Sequence, residues 1–340
     1  WTKAPHALAV ASCTAGLHLF WFDQGVGPGD EVIVPAQTHA ATAHAVEYTG
    51  ASTVFVDCDP KTGNMDVGAL AQAITPRTKG ISLVHYLGLP ADMDGILSVA
   101  RKHGLPVLED CALSIGATYK GVHTGLIGDA GAFSFYPVKH MTTAEGGMVI
   151  TRCADRAGRI GRKRAFGVDR VVGERTVPGV YDVTMLGYNY RMNEIEAAIG
   201  IEQLKRMDGF LTKRRETYAA LAAGLTELAE LTVLASAGDE EVVGSRYCLS
   251  VVLRENLRPR RFDLVKALNE RGVGTSVYYP RPVPHMSYYR DKYGHGEGSF
   301  PNAAAISYGS VALSVGPHLD LDDMGYTVAA MKQALGELAG

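Results

Sequence analysis

Short apolar runs that alternate with helical segments restrict the possible folds of this chain more than any other feature of its sequence. Strand-like runs are predicted at residues 6–11, 29–35, 53–56, 81–85, 106–110 and 132–136, and a glycine turn leads into another at 145–151. Helices are predicted from Ser12, over residues 38–48 and over 96–103. Strands and helices in this order are typical of βαβ units, so we expect an α/β fold with a mostly parallel central sheet flanked by helices.

The remainder of the chain predicts a second, smaller unit. A helical region begins at Asn193, where Glu196 completes a capping-box pattern, and runs to about Leu228 with a possible break at Gly209. The spacing of its apolar residues predicts a stripe that faces the core, formed by Ile195, Ile199, Leu204 and Met207. Strands at residues 246–253 and 274–279, a helix at 263–271 and a last helix from Asp322 follow. We therefore expect a large domain over residues 1–208 and a small C-terminal α/β domain over 209–340.

The composition and charge of the chain argue against some classes of protein. The 340 residues are 46% hydrophobic and 20% charged with a net charge of −3, which gives no reason to expect a nucleic-acid partner. The basic run at residues 159–164 is interpreted as a solvated helix face. Five scattered cysteines without CxxC spacing indicate reduced thiols and a cytoplasmic protein. No apolar segment is long enough to span a membrane, so no membrane association is expected.

The chemistry is predicted at the ends of two interior strands. The run at residues 106–110 delivers Asp110 to its C-terminal edge, and Lys139 follows the run at 132–136. A lysine can form a Schiff base with pyridoxal 5′-phosphate (PLP), and an aspartate can partner the protonated pyridine nitrogen. The turn at residues 12–14 could present backbone N–H groups to a phosphate, although plain helix capping is the favoured interpretation of this stretch alone.

Two other classes of site fit the sequence poorly. The glycines between Gly25 and Gly29 do not give a GxGxxG fingerprint, and they precede a strand instead of opening a helix, which argues against a nicotinamide enzyme. The histidines show no metal-ligand spacing, so no metal site is predicted.

Several long strings, taken in order, resemble the DegT/StrS-type sugar aminotransferases, a PLP-dependent family of fold type I. They are SCTAGL, GDEVIVPAQTHAATAHAV, GASTVFVDCDPKTGNMD, VHYLGLPADMDGI, EDCALSIGA, FSFYPVKHMTTAEGGMV and LGYNYRMNEIEAAIGIEQLKRMD. The resemblance covers nearly the whole chain. It implies a fold-type I PLP-dependent transferase with a large and a small domain.

The resemblance also assigns cofactor contacts. Lys139 resembles the lysine that forms the Schiff base and moves the proton, and Asp110 resembles the partner of the pyridinium. The phosphate would be bound by Ser134 and by Thr14 with the backbone at Cys13 and Ala15. His39 stands where the family usually places an aromatic ring stacked on the pyridine. Asn189 resembles an asparagine that reaches the phosphate from the neighbouring subunit, which implies a homodimer with shared active sites.

Four further residues lie where members of the family contact the substrate: His85, Arg191, Tyr279 and Arg281. His85 could equally be a buried histidine at a strand end, and Arg191 could equally pair with Glu194 or Glu196. These alternatives stay open on the sequence alone.

The resemblance implies an aminotransferase that converts a keto-sugar, most simply a nucleotide-linked one, to an amino sugar with glutamate as donor. A cyclitol ketone aminated with glutamine is an alternative. A PLP-dependent sugar dehydratase is disfavoured because that branch replaces the Schiff-base lysine by histidine, whereas this chain has Lys139. A non-catalytic PLP-binding regulator would not need Lys139, Asp110 and Ser134 together.

Overall fold

The chain folds around a central sheet of seven strands. The computed structural model describes residues 1–169, 177, 179–235 and 238–339. The strands of this sheet are β1 (His6–Val10), β2 (Glu31–Pro35), β3 (Ser52–Val56), β4 (Thr78–Val84), β5 (Val107–Asp110), β8 (Ala130–Ser134) and β9 (Gly147–Thr151). Their spatial order is β1-β9-β8-β5-β4-β2-β3, and every pairing is parallel except the two that β9 makes with its neighbours. The predicted mostly parallel sheet is confirmed.

Helices cover this sheet. They are α1 (Cys13–Asp23), α2 (Ala40–Glu47), α3 (Val67–Gln72), α4 (Met93–His103) and α5 (Ala154–Lys163). A small antiparallel sheet of β6 (Thr118–Tyr119), β7 (Val122–His123) and β11 (Val242–Val243) lies beside it. In parallel sheets the carboxyl ends of the strands meet at one edge, so β5 and β8 bring Asp110 and Ser134 to the same edge.

A second sheet is built from the C-terminal part of the chain. Its order is β10-β12-β14-β13, and all of its pairings are antiparallel. The strands are β10 (Leu231–Val233), β12 (Leu249–Leu253), β13 (Thr275–Ser276) and β14 (Ser310–Leu313), and the remaining helices are α6 (Glu194–Leu204), α7 (Met207–Thr226), α8 (Arg261–Glu270), α9 (Ser287–Tyr293), α10 (Pro301–Gly309) and α11 (Leu321–Ala339). The predicted domain boundary after residue 208 lies in the first turn of α7 and remains a prediction. Among the described residues, no helix is long and apolar enough to cross a membrane.

The helical region after Asn193 differs from the prediction in two ways. The capping box between Asn193 and Glu196 is present, but the helix breaks after Leu204, before Met207, and Gly209 lies inside α7. The predicted core stripe is wrong for three of its four residues: Met207 is buried, whereas Ile195 is 76% exposed and Ile199 and Leu204 are exposed. The periodicity therefore marks an apolar face that this chain alone does not cover.

Helix α5 contains residues 159–163 of the basic run, so the helix predicted there is present. Its basic side chains are not simply solvated, which corrects the interpretation of residues 159–164. Arg159 and Lys163 both pair with the buried carboxylate of Asp23 at the end of α1, at 2.7 and 2.9 Å. Burial alone would raise the pKa of Asp23, but the hydrogen bonds from Arg159 and Lys163 outweigh it and hold that pKa below its usual value.

The carboxylate of Glu109 joins the end of β5 to the segment that leads into β8. It is fully buried. Its Oε1 accepts the backbone N–H groups of Ile127 and Gly128 at 2.8 and 2.6 Å, and its Oε2 accepts that of Gly125 at 2.7 Å. His85 Nε2 completes the set at 2.9 Å from Oε2. Four donors therefore converge on one carboxylate and fix the approach to β8.

We expect Glu109→Gln to destabilise the protein strongly. Whichever oxygen the amide nitrogen replaces, two donors lose their acceptor, at a cost of about 1–3 kcal/mol each. Urea denaturation of the cofactor-free protein would measure the loss, with the exposed Glu227→Gln as control, expected to change stability by less than about 0.5 kcal/mol. Equal denaturation midpoints for the two variants would contradict the structural role of Glu109.

Candidate functional site

Lys139 lies in the loop that follows β8. Its side chain is half-buried, and its Nζ lies 5.3 Å from the centre of the Tyr247 ring. The next residue, His140, donates from Nε2 to the backbone carbonyl of Ser245 at 3.1 Å and so ties the loop to the segment before β12. Burial lowers the pKa of the Lys139 amine, while Cys13 and Asp110 oppose part of that shift. An amine with a lowered pKa exchanges protons more readily near neutral pH.

Asp110 is held from three sides. Its Oδ2 accepts the hydroxyl of Thr42 at 2.7 Å, and its Oδ1 accepts the Ala112 backbone N–H at 3.0 Å. The Cys13 thiol lies 3.8 Å from Oδ1, a long contact for a weak donor. Thr38 donates to Thr42 at 2.7 Å, because the Thr42 proton is already directed to Asp110. The carboxylate is thus oriented by a chain of buried hydroxyls.

The start of α1 lies beside Ser134. Ser134 pairs with Gly147 across β8 and β9. A Cβ at Gly147 would come within 2.6 Å of the Cys13 nitrogen, so only glycine allows this approach. Ser12 caps α1 by accepting the Ala15 N–H at 3.1 Å. The Ala15 N–H is therefore engaged by the cap, and the predicted phosphate contacts of Ala15, Cys13 and Thr14 beside Ser134 remain predictions.

His39 and Tyr279 flank this region. His39 is the N-cap of α2, and its Nδ1 accepts the Ala41 N–H at 3.1 Å. Its ring lies edge-on to Tyr279, with centroids 5.5 Å apart. Tyr279 is buried, and burial followed by the charge of Asp110 raises its pKa. Arg281, two residues further along, is exposed. The predicted stacking of His39 and the substrate contacts of Tyr279 and Arg281 remain predictions.

Asn189 and Arg191 are both exposed. Asn189 bridges to Ala165, and the Arg191 guanidinium lies 5.0 Å from the centre of the Phe166 ring. Within the described ranges Arg191 makes no ion pair with Glu194 or Glu196, and Glu196 is engaged in the capping box. Both side chains therefore face outward, and their predicted roles remain predictions.

The structure supports a structural role for His85, and its predicted substrate contact remains a prediction. The side chain is fully buried, its Nδ1 accepts the Ala91 N–H at 3.1 Å, and its Nε2 therefore carries the proton that it donates to Glu109. Ligand atoms of His85, Glu109 and Cys111 lie within 4.8 Å of one another, the spacing of a metal site. The hydrogen bonds of His85 and Glu109 already occupy those atoms, so the cluster is a structural network.

The sequence reasoning missed several residues at this site. Thr38 precedes α2 and Thr42 lies in its first turn, so their spacing of four residues could have been recognised as two hydroxyls on one face. Tyr247 and Arg214 could not, because they lie far from Lys139 along the chain and only the folded structure brings them near it.

The residues present fit PLP. A buried carboxylate for a ring nitrogen, an amine of lowered pKa and a helix start beside a serine hydroxyl are the protein groups this cofactor requires, and all three lie at the same edge of the sheet.

Comparisons with known proteins agree with this geometry. GDP-perosamine synthase of Caulobacter vibrioides is 38% identical over 334 residues, which cover 97% of this chain and 86% of the relative. A putative sugar aminotransferase of Streptococcus pneumoniae, solved in its PMP form, superposes with a TM-score of 0.93 at 28% identity, covering 99% of this chain and 89% of the other. DesV of S. venezuelae superposes with a TM-score of 0.89 at 32% identity, covering 98% and 85%.

The model of one family matches residues 1–332, which is almost the whole chain. The predicted fold class and the predicted resemblance are both confirmed. The chain belongs to the DegT/DnrJ/EryC1/StrS aminotransferase family.

Proposed function

We propose that this protein is a PLP-dependent aminotransferase that converts a keto-sugar, carried on a nucleotide, to an amino sugar with glutamate as the amino donor. The observation that carries the proposal is the convergence of Lys139 and Asp110 on one edge of the sheet, in a member of an aminotransferase family. Two solved structures of one relative support the cofactor, since the S. pneumoniae protein has been obtained in both PMP and PLP forms. GDP-perosamine synthase supports a nucleotide-linked sugar.

Each residue has a separate task in this proposal. Bound PLP supplies an electron sink that withdraws electrons from the substrate carbon while the amino group is transferred. Asp110 would keep the ring nitrogen protonated, and Thr42 with the Ala112 N–H fixes the direction of its carboxylate. Lys139 would take the proton from the substrate carbon and return it, which its lowered pKa favours.

The phosphate end would be bound at the start of α1. Ser134 and Thr14 would contribute hydroxyls, and the backbone at Cys13 would contribute an N–H group at the positive end of the helix dipole. Ser12 satisfies the Ala15 N–H, so the cap and the phosphate would use different donors of the same helix start. The cytoplasmic location predicted from the cysteines remains part of this proposal.

We expect the purified protein loaded with PLP to show the visible absorption band of the lysine-bound cofactor. L-Glutamate should bleach the band, because the amino group moves to the cofactor. Lys139→Ala should lack the band, whereas the control Lys266→Ala, which removes an exposed lysine of α8, should retain it. A wild-type protein that binds no PLP would sink the proposal, and one that binds PLP but reacts with neither glutamate nor glutamine would exclude transamination.

We also propose that the protein works as a homodimer. The apolar face of α6 supports this, since Ile195 is 76% and Ile201 59% exposed, and Leu186 before the helix is 71% exposed. Exposed apolar side chains clustered in one region indicate a protein interface. Asn189 stands a few residues before the same helix, so docking through α6 would bring it toward a second copy of the chain.

Charges placed on this face should break the dimer. We expect wild type to migrate at twice the chain mass of 36.3 kDa, and the double variant Ile195→Glu/Ile201→Glu to migrate as a monomer, because charged residues are costly in an apolar interface. Light scattering coupled to gel filtration would measure this. Leu321→Glu makes the same change at an exposed apolar position of α11 and should leave the dimer intact. A monomeric wild type at micromolar concentration would contradict the proposal.

Mixed dimers test whether Asn189 completes the partner's site. Lys139→Ala and Asn189→Ala chains, each deficient alone, would form one intact site when they are combined in the same dimer. Recovery of activity on mixing would support a shared site, whereas no recovery in a demonstrated heterodimer would mean that Asn189 serves its own subunit.

A further inference from the structure

A cavity of about 510 Å³ lies next to Lys139, between the loop after β8 and the second sheet. Its wall includes Lys139, Arg214, Tyr247, Ser276, Ser314 and His318. None of the described residues that line it is acidic, whereas Lys139 and Arg214 are cationic. Such a cavity favours an anion.

Arg214 is the unusual member of this wall. It extends from α7 and is only 7% exposed. Its Nη1 donates to the backbone carbonyls of Tyr247 at 2.8 Å and of Arg246 at 3.4 Å, but its Nε has no partner among the described residues. No carboxylate in the described part of the chain lies within 4 Å of it to form an ion pair. Burying a guanidinium without a neighbouring anion costs free energy, and no carboxylate of the described residues offsets that cost.

Two carbonyl contacts give Arg214 a structural role in holding the start of β12. That role explains the hydrogen bonds of Nη1. It does not explain why a positive charge is buried here or why Nε has no partner among the described residues. A structural contact to backbone carbonyls would also be possible for a neutral donor such as glutamine, whereas only a cation adds attraction for an anion in the adjoining cavity.

Tyr247 connects Arg214 to Lys139. Its carbonyl oxygen accepts from the guanidinium, and its ring lies 5.3 Å from Lys139 Nζ. The two cationic groups therefore contact opposite ends of one residue, on the wall of the same cavity. A cavity lined by both groups suits a molecule that reacts at the lysine and also carries a carboxylate.

We propose that Arg214 binds the side-chain carboxylate of the amino donor and thereby selects glutamate over glutamine. The inference rests on the proposed aminotransferase function and adds to it the chemistry of the donor. A guanidinium donates two parallel hydrogen bonds to a carboxylate with full charge attraction. A glutamine amide offers one acceptor and no charge, so it gains much less from the same group.

The test uses the PLP-loaded protein and the bleaching of its visible band as the donor is titrated. In Arg214→Gln we expect the half-saturating glutamate concentration to rise roughly 10- to 100-fold, the range for losing a hydrogen bond to a charged group. The rate at saturation and the response to glutamine should change by less than about threefold. Arg215→Gln, which removes the exposed neighbouring arginine of α7, is the matched control.

Binding of glutarate, a dicarboxylate without an amine, supplies a readout that needs no reaction. Titration calorimetry should detect glutarate binding to wild type and to Arg215→Gln, and weaker binding by the same factor to Arg214→Gln. Because Arg214 also holds the backbone near β12, a variant that leaves it intact is needed. Ser276→Asp places an anion in the cavity from an exposed position and should weaken glutarate and glutamate about fivefold, whereas the neutral Ser276→Asn should not.

The outcomes separate the inference from the proposed function. If wild type reacts with glutamate and Arg214→Gln weakens glutamate and glutamine equally, Arg214 does not read the side-chain carboxylate and the inference fails while the function stands. Unchanged glutarate binding in both Arg214→Gln and Ser276→Asp would also overturn it. A wild type that binds glutarate but no PLP would refute the proposed function, while the presence of an anion-binding site would still be supported.

Discussion

The end of β5 carries two buried carboxylates in succession. The arrangement of the site depends on the different hydrogen bonds that each of them accepts. Successive residues of a strand point to opposite faces of the sheet, so Glu109 and Asp110 meet different surroundings. Glu109 receives four hydrogen bonds, three of them from the backbone that leads into β8. Asp110 receives the Thr42 hydroxyl and one backbone N–H and remains beside Lys139 and Cys13. One carboxylate fixes the scaffold, and the other is the one proposed to partner the cofactor.

This division explains why the lysine and the aspartate can be positioned relative to each other. Lys139 follows β8, and β8 pairs directly with β5. The hydrogen bonds of Glu109 hold the segment before β8 against the end of β5, so the register between the two strands is secured next to the reacting groups. His140 then ties the loop after β8 to the Ser245 carbonyl, which fixes the far side of the lysine. Both ends of the segment that carries Lys139 are thus anchored by buried polar contacts.

Much of the large sheet could be predicted from the sequence, because its strands are short apolar runs whose periodicity is local. Lys139, Asp110 and the start of α1 could be predicted for the same reason, since each follows directly from such a run. The local spacing of apolar residues predicts that one face of a helix is apolar, but it does not predict what packs against that face. The stripe from Ile195 to Leu204 has correct helical spacing, yet the chain leaves it exposed. The pattern of His85 likewise fits a ligand contact or a buried network, and only the three-dimensional positions of Ala91 and Glu109 reveal the network.

The surroundings of Lys139 have a negative and a positive end. The carboxylate of Asp110 is close enough to oppose the lowering of the Lys139 pKa, and Arg214, which has no carboxylate partner among the described residues, lines the same cavity as Lys139. His140 does not add to the positive end, because burial and the nearby Arg214 lower its pKa well below the usual value and keep it neutral. A ligand that is cationic near Asp110 and anionic near Arg214 would match both ends at once. Since burial strengthens interactions between charges, binding of such an anion would offset the cost of the isolated guanidinium.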